Sequence, residues 1–503
     1  MSEKNVLFVS LGSLGDVLPL LSLAVTLGIG PALFGPIVQT REKVAQRQAE
    51  LNDLSKIALQ LSPDIIVFST FCTEAWHLGE KLDVPVIAVT LFPLDTGRDT
   101  DEDGIDKSIN SLHSELRKHV PELLEELQKD IPTKVSWTDV EIWMSRLFSE
   151  EHGAFRDQLN LSPLIFLDDK GNVCLPKKTP VLLAYEASLV PKALPKVVED
   201  ENYIQSGFWP CVSADYATTV RVADKLLHVQ PQASGGTIPL QNTLINLAAA
   251  IDAARSDGKN LVYIGFGSMD YLDHRLSDSE YIERLLLSLN DALAQTNSFG
   301  IWLVSKENKI IYNIYSTLFL RERPVHIHMH IGSLPHELLV SIMQYGTKFI
   351  LECVKHPKFD EIVKQQSLIT LLQSCGLNES HPSFRSIIAI HHGGAGTVAR
   401  FIRLATAQIV VPFLFDQFTW ARCLHANDLA PEPLLAQVLE DHISCQIPIP
   451  ITTALWKSRI MRAITYTQSS HITTVARETS IKGMLGLHKA ATFVSNVIMS
   501  SQM

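Results

Sequence analysis

His391-His392-Gly393-Gly394-Ala395-Gly396-Thr397 stands between an apolar run, Ile387-Ile388-Ala389-Ile390, and the segment Val398 to Leu404. The run reads as a buried strand, and the segment as a helix with Arg400 and Arg403 on one side. A glycine-rich turn between strand and helix aims backbone N–H groups outward at a helix N-terminus. That arrangement suits an anion such as a phosphate. The two histidines add polar groups at the strand end, and Thr397 adds a hydroxyl. The next apolar run, Ile409-Val410-Val411, leads into Pro412 and then Asp416-Gln417. A carboxylate and an amide at that exit suit a ligand with several hydroxyls, such as a sugar.

The same alternation extends outward along the chain. Asn5 to Ser10, Ile65 to Phe68, Val86 to Val89, Val181 to Tyr185 and Ile204 to Gly207 read as short buried strands. Helices are expected at Leu20 to Leu27, Glu42 to Leu59 and Glu74 to Leu82. This βα alternation predicts a doubly wound parallel sheet. A second sheet is expected to begin at Leu261 and to include Ile301 to Val304 and Val325 to Ile331. Between the two lies a linker over 209–260 containing Pro231, Ser234-Gly235-Gly236 and Pro239. Leu485 to Met499 reads as an amphipathic helix.

Four blocks carry a resemblance to a known family. His391 to Thr397, followed by Ile409 to Leu434, resembles the donor-binding segment of UDP-dependent glycosyltransferases. The closest likeness is to sterol 3-β-glucosyltransferases and to bacterial relatives that glycosylate antibiotic aglycones. Val262 to Met269 resembles the strand and glycine turn that open that family's second domain. Gly12-Ser13-Leu14-Gly15-Asp16-Val17-Leu18-Pro19 resembles its N-terminal loop, with Leu14 where the family has arginine. Gly332-Ser333-Leu334-Pro335-His336 resembles its uracil-side turn. Four blocks in the expected order are far more specific than one glycine turn.

The resemblance implies the α/β GT-B fold, two Rossmann-like doubly wound domains facing across a cleft. The first domain would be 1–208, on the acceptor side, and the second 261–484, on the UDP-sugar side. An insertion falls at 339–384, and a terminal helix in 485–503 would pack back on the first domain. The family's second strand, with its Gly-His and β-branched residues, is missing after Leu27-Gly28. The first domain therefore reads as shortened near 29–64, with apolar surface left at a sheet edge.

Length and composition bound the function. At 503 residues the chain exceeds one ordinary core and should hold two domains. A net charge of −11 argues against binding nucleic-acid phosphates. Seven scattered cysteines without a C-x-x-C pair read as reduced thiols of a cytoplasmic protein. Met1-Ser2-Glu3-Lys4 leads directly into a strand, so no secretory signal is expected. No apolar run is long enough to span a bilayer. A lipophilic acceptor would then be met by transient contact with the membrane surface.

The expected activity is inverting transfer of a hexose, glucose by resemblance, from UDP-sugar to a sterol or similar lipophilic hydroxyl. Sugar transfer requires a held diphosphate, an oriented sugar and a base for the acceptor hydroxyl. By resemblance, the donor is held by Ser268, Pro335, His336, His392, Gly394, Ala395, Gly396, Thr397, Asp416 and Gln417. Gly12, Ser13 and Gly15 form the acceptor-side loop, and Asp16 is the candidate base. Asp16 and Asp416 equally suit helix caps. Trp420, one turn beyond Asp416, can be plain core. No cofactor or metal is expected. His326, His328 and His330 share one strand face, but no carboxylate follows at ligand spacing, which favours a partly covered histidine-rich strand over zinc. Two rival readings remain: a non-catalytic descendant that binds nucleotide-sugar or lipid, and a UDP-N-acetylglucosamine 2-epimerase sharing the fold.

Overall fold

The computed structural model describes residues 5–10, 20, 23–24, 27, 41–70, 72–93, 124–125, 128–129, 152–162, 179–190, 202–209, 244–305, 308–319, 324–331, 336–348, 383–413, 416–468, 475 and 486–500. Ten strands form two parallel sheets among these residues. The first contains β1 (Val6–Val9), β2 (Ile65–Ser69), β3 (Val86–Thr90), β4 (Val181–Leu183) and β5 (Tyr203–Gln205), in that spatial order. Helices α1 (Arg41–Leu61) and α2 (Glu74–Leu82) connect β1 to β2 and β2 to β3. Val6, Phe8, Ile65 and Val67 enter one core, whereas Leu7, Val9, Ile66 and Phe68 enter another. Covering both faces is why these strands are unbroken apolar runs rather than alternating ones.

The second sheet comprises β6 (Asn260–Gly265), β7 (Ser298–Val304), β8 (Ile327–Ile331), β9 (Ile388–His391) and β10 (Ala407–Val410). Its spatial order is β10-β9-β6-β7-β8. The chain moves outward from β6 to β8, then crosses to the opposite side for β9 and β10. The crevice at the carboxyl ends of β6 and β9 is thus the switch point where doubly wound sheets bind ligands. Within the span read as linker, Leu244–Ser256 forms a helix, α3, that packs against β6. After β6 come α4 (Met269–Leu272), α5 (Ser279–Gln295), α6 (Lys309–Phe319) and α7 (His336–Tyr345). Helix α7 runs into the span read as an insertion, most of which lies outside the described residues. Next come α8 (Ala395–Arg403), α9 (Asp416–Ala426), α10 (Ala436–Ser444) and α11 (Ile449–Thr467).

The last helix, α12 (Gly486–Ser500), places Ala490, Ala491, Val494 and Ile498 in the core cluster that holds Val6, Phe8 and Ile65. Its apolar side thus packs among residues of the first sheet. That cluster also takes in Val398, Ile402, Val410 and Trp420, so it joins the two domains. Trp420 is fully buried, with ring centroids 6.1 Å from Tyr185 and 5.8 Å from Phe208, both beyond first-sheet strands. Asn427 adds a polar tie, its side-chain amide donating to the Leu189 carbonyl at 2.8 Å. In the first sheet, β1 and β5 are the two edge strands among the described residues.

Candidate functional site

The turn after β9 needs glycine at position 393. Its φ is +91°, and a Cβ there would sit 2.6 Å from Val410 and 3.2 Å from the Gln417 carbonyl. Gly394 caps α8 in an extended conformation and accepts from the Thr397 and Val398 N–H groups through its carbonyl. The N–H groups of Ala395 and Gly396 find no carbonyl among the described residues and project from the helix N-terminus. A short amphipathic helix results, with Val398, Phe401 and Ile402 buried and Gly396 and Thr397 partly exposed.

The two histidines divide their work. His391 is fully buried; its Nδ1 accepts from the Gly393 N–H at 3.0 Å, and its Nε2 lies 2.9 Å from Gln408 Oε1. Because Nδ1 accepts, Nε2 carries the proton, and the ring is a satisfied neutral bracket between β9 and β10. Burial, with His392 beside it, pulls its pKa down to about 3. His392 is also buried and hydrogen-bonded to the Gly265 carbonyl, while its Nδ1 has no hydrogen-bond partner among the described residues. Burial holds its pKa at about 4, so the ring is neutral at pH 7. A Cβ at Gly267 would come within 3.1 Å of this ring, and one at Gly394 within 2.5 Å. His392 therefore sits between the glycine turns of β6 and β9 and sets their spacing. A neutral ring donating to a carbonyl keeps a lone pair on its other nitrogen. Offering a proton to a phosphate from Nδ1 requires the ring to become charged, which a bound diphosphate would favour.

Gln417 and Asp416 open α9 beside this turn. Gln417 is buried; its Oε1 accepts from the Phe413 N–H at 2.8 Å, and its Nε2 donates to Met269 Sδ at 3.5 Å. Asp416 is partly exposed in the first turn of α9. The β10 exit is braced by Arg275, which pairs with Asp273 at 2.7 Å, donates to the Phe413 carbonyl at 3.3 Å and lies over the Phe413 ring. Ser268 caps α4, is partly exposed and makes no side-chain cap bond.

The structure thus brings Ser268, His392, Gly394, Ala395, Gly396, Thr397, Asp416 and Gln417 to the carboxyl ends of the second sheet. His336 begins α7, its side chain outside the described residues. Gly12, Ser13, Gly15, Asp16 and Pro335 lie outside them as well. His328 and His330 sit on β8 with burial lowering both pKa values. Among the described residues no group of three His, Cys, Asp or Glu side chains has a metal-binding arrangement.

Asp270, which the sequence did not single out, lies directly behind the β6 turn. Its carboxyl is almost wholly buried; Oδ2 accepts from the Ser305 N–H at 2.9 Å, and Oδ1 has no hydrogen-bond partner among the described residues. Burial pushes its pKa up to about 7, against the pull of the Ser305 N–H. In the unfolded chain the group titrates near 4. The folded state therefore retains a proton that the unfolded chain releases between those values. Stability contributed by this group is greatest below about pH 4, falls as pH rises to about 7, and then levels off. Asp270→Asn keeps an acceptor for Ser305 and removes the charge. Above pH 7 it should be more stable than the parent by about 1–3 kcal/mol, an advantage that shrinks as pH falls and vanishes below about pH 4. Urea unfolding above and below this range checks this; an equal difference at each end would mean that Asp270 does not titrate within it.

No family model matches the chain. It is 30% identical over 94 residues to the sterol 3-β-glucosyltransferase UGT80B1 of Arabidopsis thaliana, a stretch covering 18% of this chain and 15% of that protein. It is 27% identical over 124 residues to UGT80A2, a sterol 3-β-glucosyltransferase of the same plant, covering 22% and 18%. The matched stretches thus span under one fifth of these relatives. Among solved structures, the glycotransferase of kitacinnamycin superimposes with a TM-score of 0.53 at 11% identity, covering 99% of this chain and 100% of that one. The chain has the GT-B fold. Over the matched stretches its sequence is similar to sterol 3-β-glucosyltransferases.

Proposed function

We propose that this chain is an inverting glycosyltransferase that moves a hexose, glucose in the leading reading, from a UDP-sugar to the hydroxyl of a sterol or another lipophilic acceptor. The observation that carries the reading is the β6–β9 switch point. There two glycine turns are spaced by His392, and the free N–H groups of Ala395 and Gly396 project from the N-terminus of α8. These donors would hold the diphosphate and offset its charge as it leaves. Thr397 would add its hydroxyl, and Asp416 with Gln417 would orient the sugar. The acceptor oxygen forms a bond to the anomeric carbon, the bond from that carbon to the diphosphate breaks, and the acceptor proton passes to Asp16. In this reading the chain needs no resident metal. Sterol acceptors would be reached at a membrane surface from the cytoplasmic side.

Calorimetry with UDP tests the donor half. Thr397→Ala should lower affinity about 10- to 100-fold, as expected for removing one hydrogen bond to a charged oxygen. His392→Ala should lower it at least as much, because the spacing of the glycine turns is also lost. Unchanged affinity in both variants would remove the site. Labelled UDP-glucose with a sterol panel, in EDTA, tests the acceptor half. Tight UDP binding without turnover of any sugar would instead favour a non-catalytic nucleotide-sugar binder.

A further inference from the structure

Helix α11 carries Lys457, Arg459 and Arg462 and no acidic residue, in a chain whose net charge is −11. No ion pair is formed by these three cations among the described residues. One face of the helix is fixed in the second-domain core through Trp456, Ile460, Ala463 and Ile464. The opposite face presents Ile451, Leu455, Ser458, Arg462 and Tyr466 at helical spacing. Ile451 is 53% exposed and Leu455 48%. Alongside runs an open groove of about 640 Å³ against the end of α5, lined by Gln295, Lys457, Met461, Arg462 and Tyr466 and by no carboxylate. Asp428, hydrogen-bonded to the Tyr466 hydroxyl at 3.5 Å, stands at its far end.

From this we infer that the outer face of α11 docks on an anionic lipid surface. Ile451 and Leu455 would enter the acyl boundary, while Lys457, Arg459 and Arg462 would engage headgroup phosphates. A helix that lies in the interface needs aliphatic side chains beside unpaired cations, with long cationic stems reaching past apolar surface to the headgroups. A protein partner of ordinary charge would gain little from three cations on a helix that has no carboxylate of its own, whereas each is worth about a fivefold gain in partition onto an anionic leaflet. The rest of the acidic chain is repelled by such a surface, so this patch also sets which side of the molecule faces it. The inference does not rest on the transferase reading, since α11 contributes nothing to the donor site.

The test is sedimentation of the full chain with vesicles of phosphatidylcholine, with and without about 30 mol % phosphatidylserine. The expected result is binding to the anionic vesicles only, weakening as salt rises. Lys457→Ala/Arg462→Ala should lower partition about 25-fold, and Leu455→Glu at least tenfold, with UDP affinity and the thermal midpoint unchanged. Equal binding to neutral vesicles, or unchanged binding by both variants, would overturn the inference. So would vesicle binding abolished by millimolar inorganic phosphate yet indifferent to Leu455→Glu, because the groove would then take a soluble anion. Loss of UDP binding in the parent chain would count against the transferase reading and leave this one intact.

Discussion

Trp420→Ala is expected to destabilise the protein by about 3–5 kcal/mol, the cost of emptying a large, fully enclosed aromatic site. Trp420 stands where the two domains meet, between Tyr185, Phe208 and the core residues around them. Its indole N–H has no hydrogen-bond partner among the described residues, so its contribution is one of volume and apolar contact. Trp420→Phe should therefore retain most of the stability, losing about 1–2 kcal/mol. The helix bearing Trp420 starts at Asp416 and Gln417. The alanine variant should accordingly loosen the proposed donor site and the domain junction together. Limited proteolysis and thermal unfolding, each with and without UDP, measure the two effects. An alanine variant no less stable than the phenylalanine one would mean that Trp420 is not a packed junction.

The core strands were legible because both faces of each sheet are covered. A parallel strand buried on two sides must be apolar along its length, and Ile65 to Ser69 or Ile388 to His391 shows this directly. The turn after β9 was legible for a local reason: Gly393 occupies a backbone region that favours glycine. Helix α3 was hidden by its surroundings, since its apolar Leu-Ile-Asn-Leu-Ala-Ala-Ala-Ile stretch follows a tract rich in proline and glycine. The division of labour between His391 and His392 was not legible either. It depends on Gln408 and on Gly265, which a sequence pattern does not place beside them. Gln417 looked free for a sugar because its partner, Met269, lies 148 residues away. Asp270 did not stand out because the group it meets, the Ser305 N–H, lies 35 residues further on, after β7. Each of these hidden features rests on a long-range contact, whereas each legible one is decided within about ten residues.

Asp16→Asn should leave UDP affinity intact and cut turnover by roughly 10²–10⁴-fold, the range for loss of a general base. The reasoning starts from position. Asp16 follows the carboxyl end of β1, in a segment resembling the N-terminal loop of UDP-dependent glycosyltransferases, and the strand ends of a doubly wound sheet are where ligands bind. The competing role is a helix cap, whose loss costs about 1 kcal/mol of stability and imitates a functional defect by lowering the folded fraction. Leu20, Leu23 and Ala24, just beyond Asp16, are fully buried in the cluster that joins the domains, so a lost cap there would register in the unfolding midpoint. Turnover per folded molecule, compared with that midpoint, separates the two roles. A variant less stable yet fully active would make Asp16 a cap alone. One equally stable and inactive, with UDP still bound, would make it the base that takes the acceptor proton, with Leu14 standing two residues earlier where the resembled family has arginine.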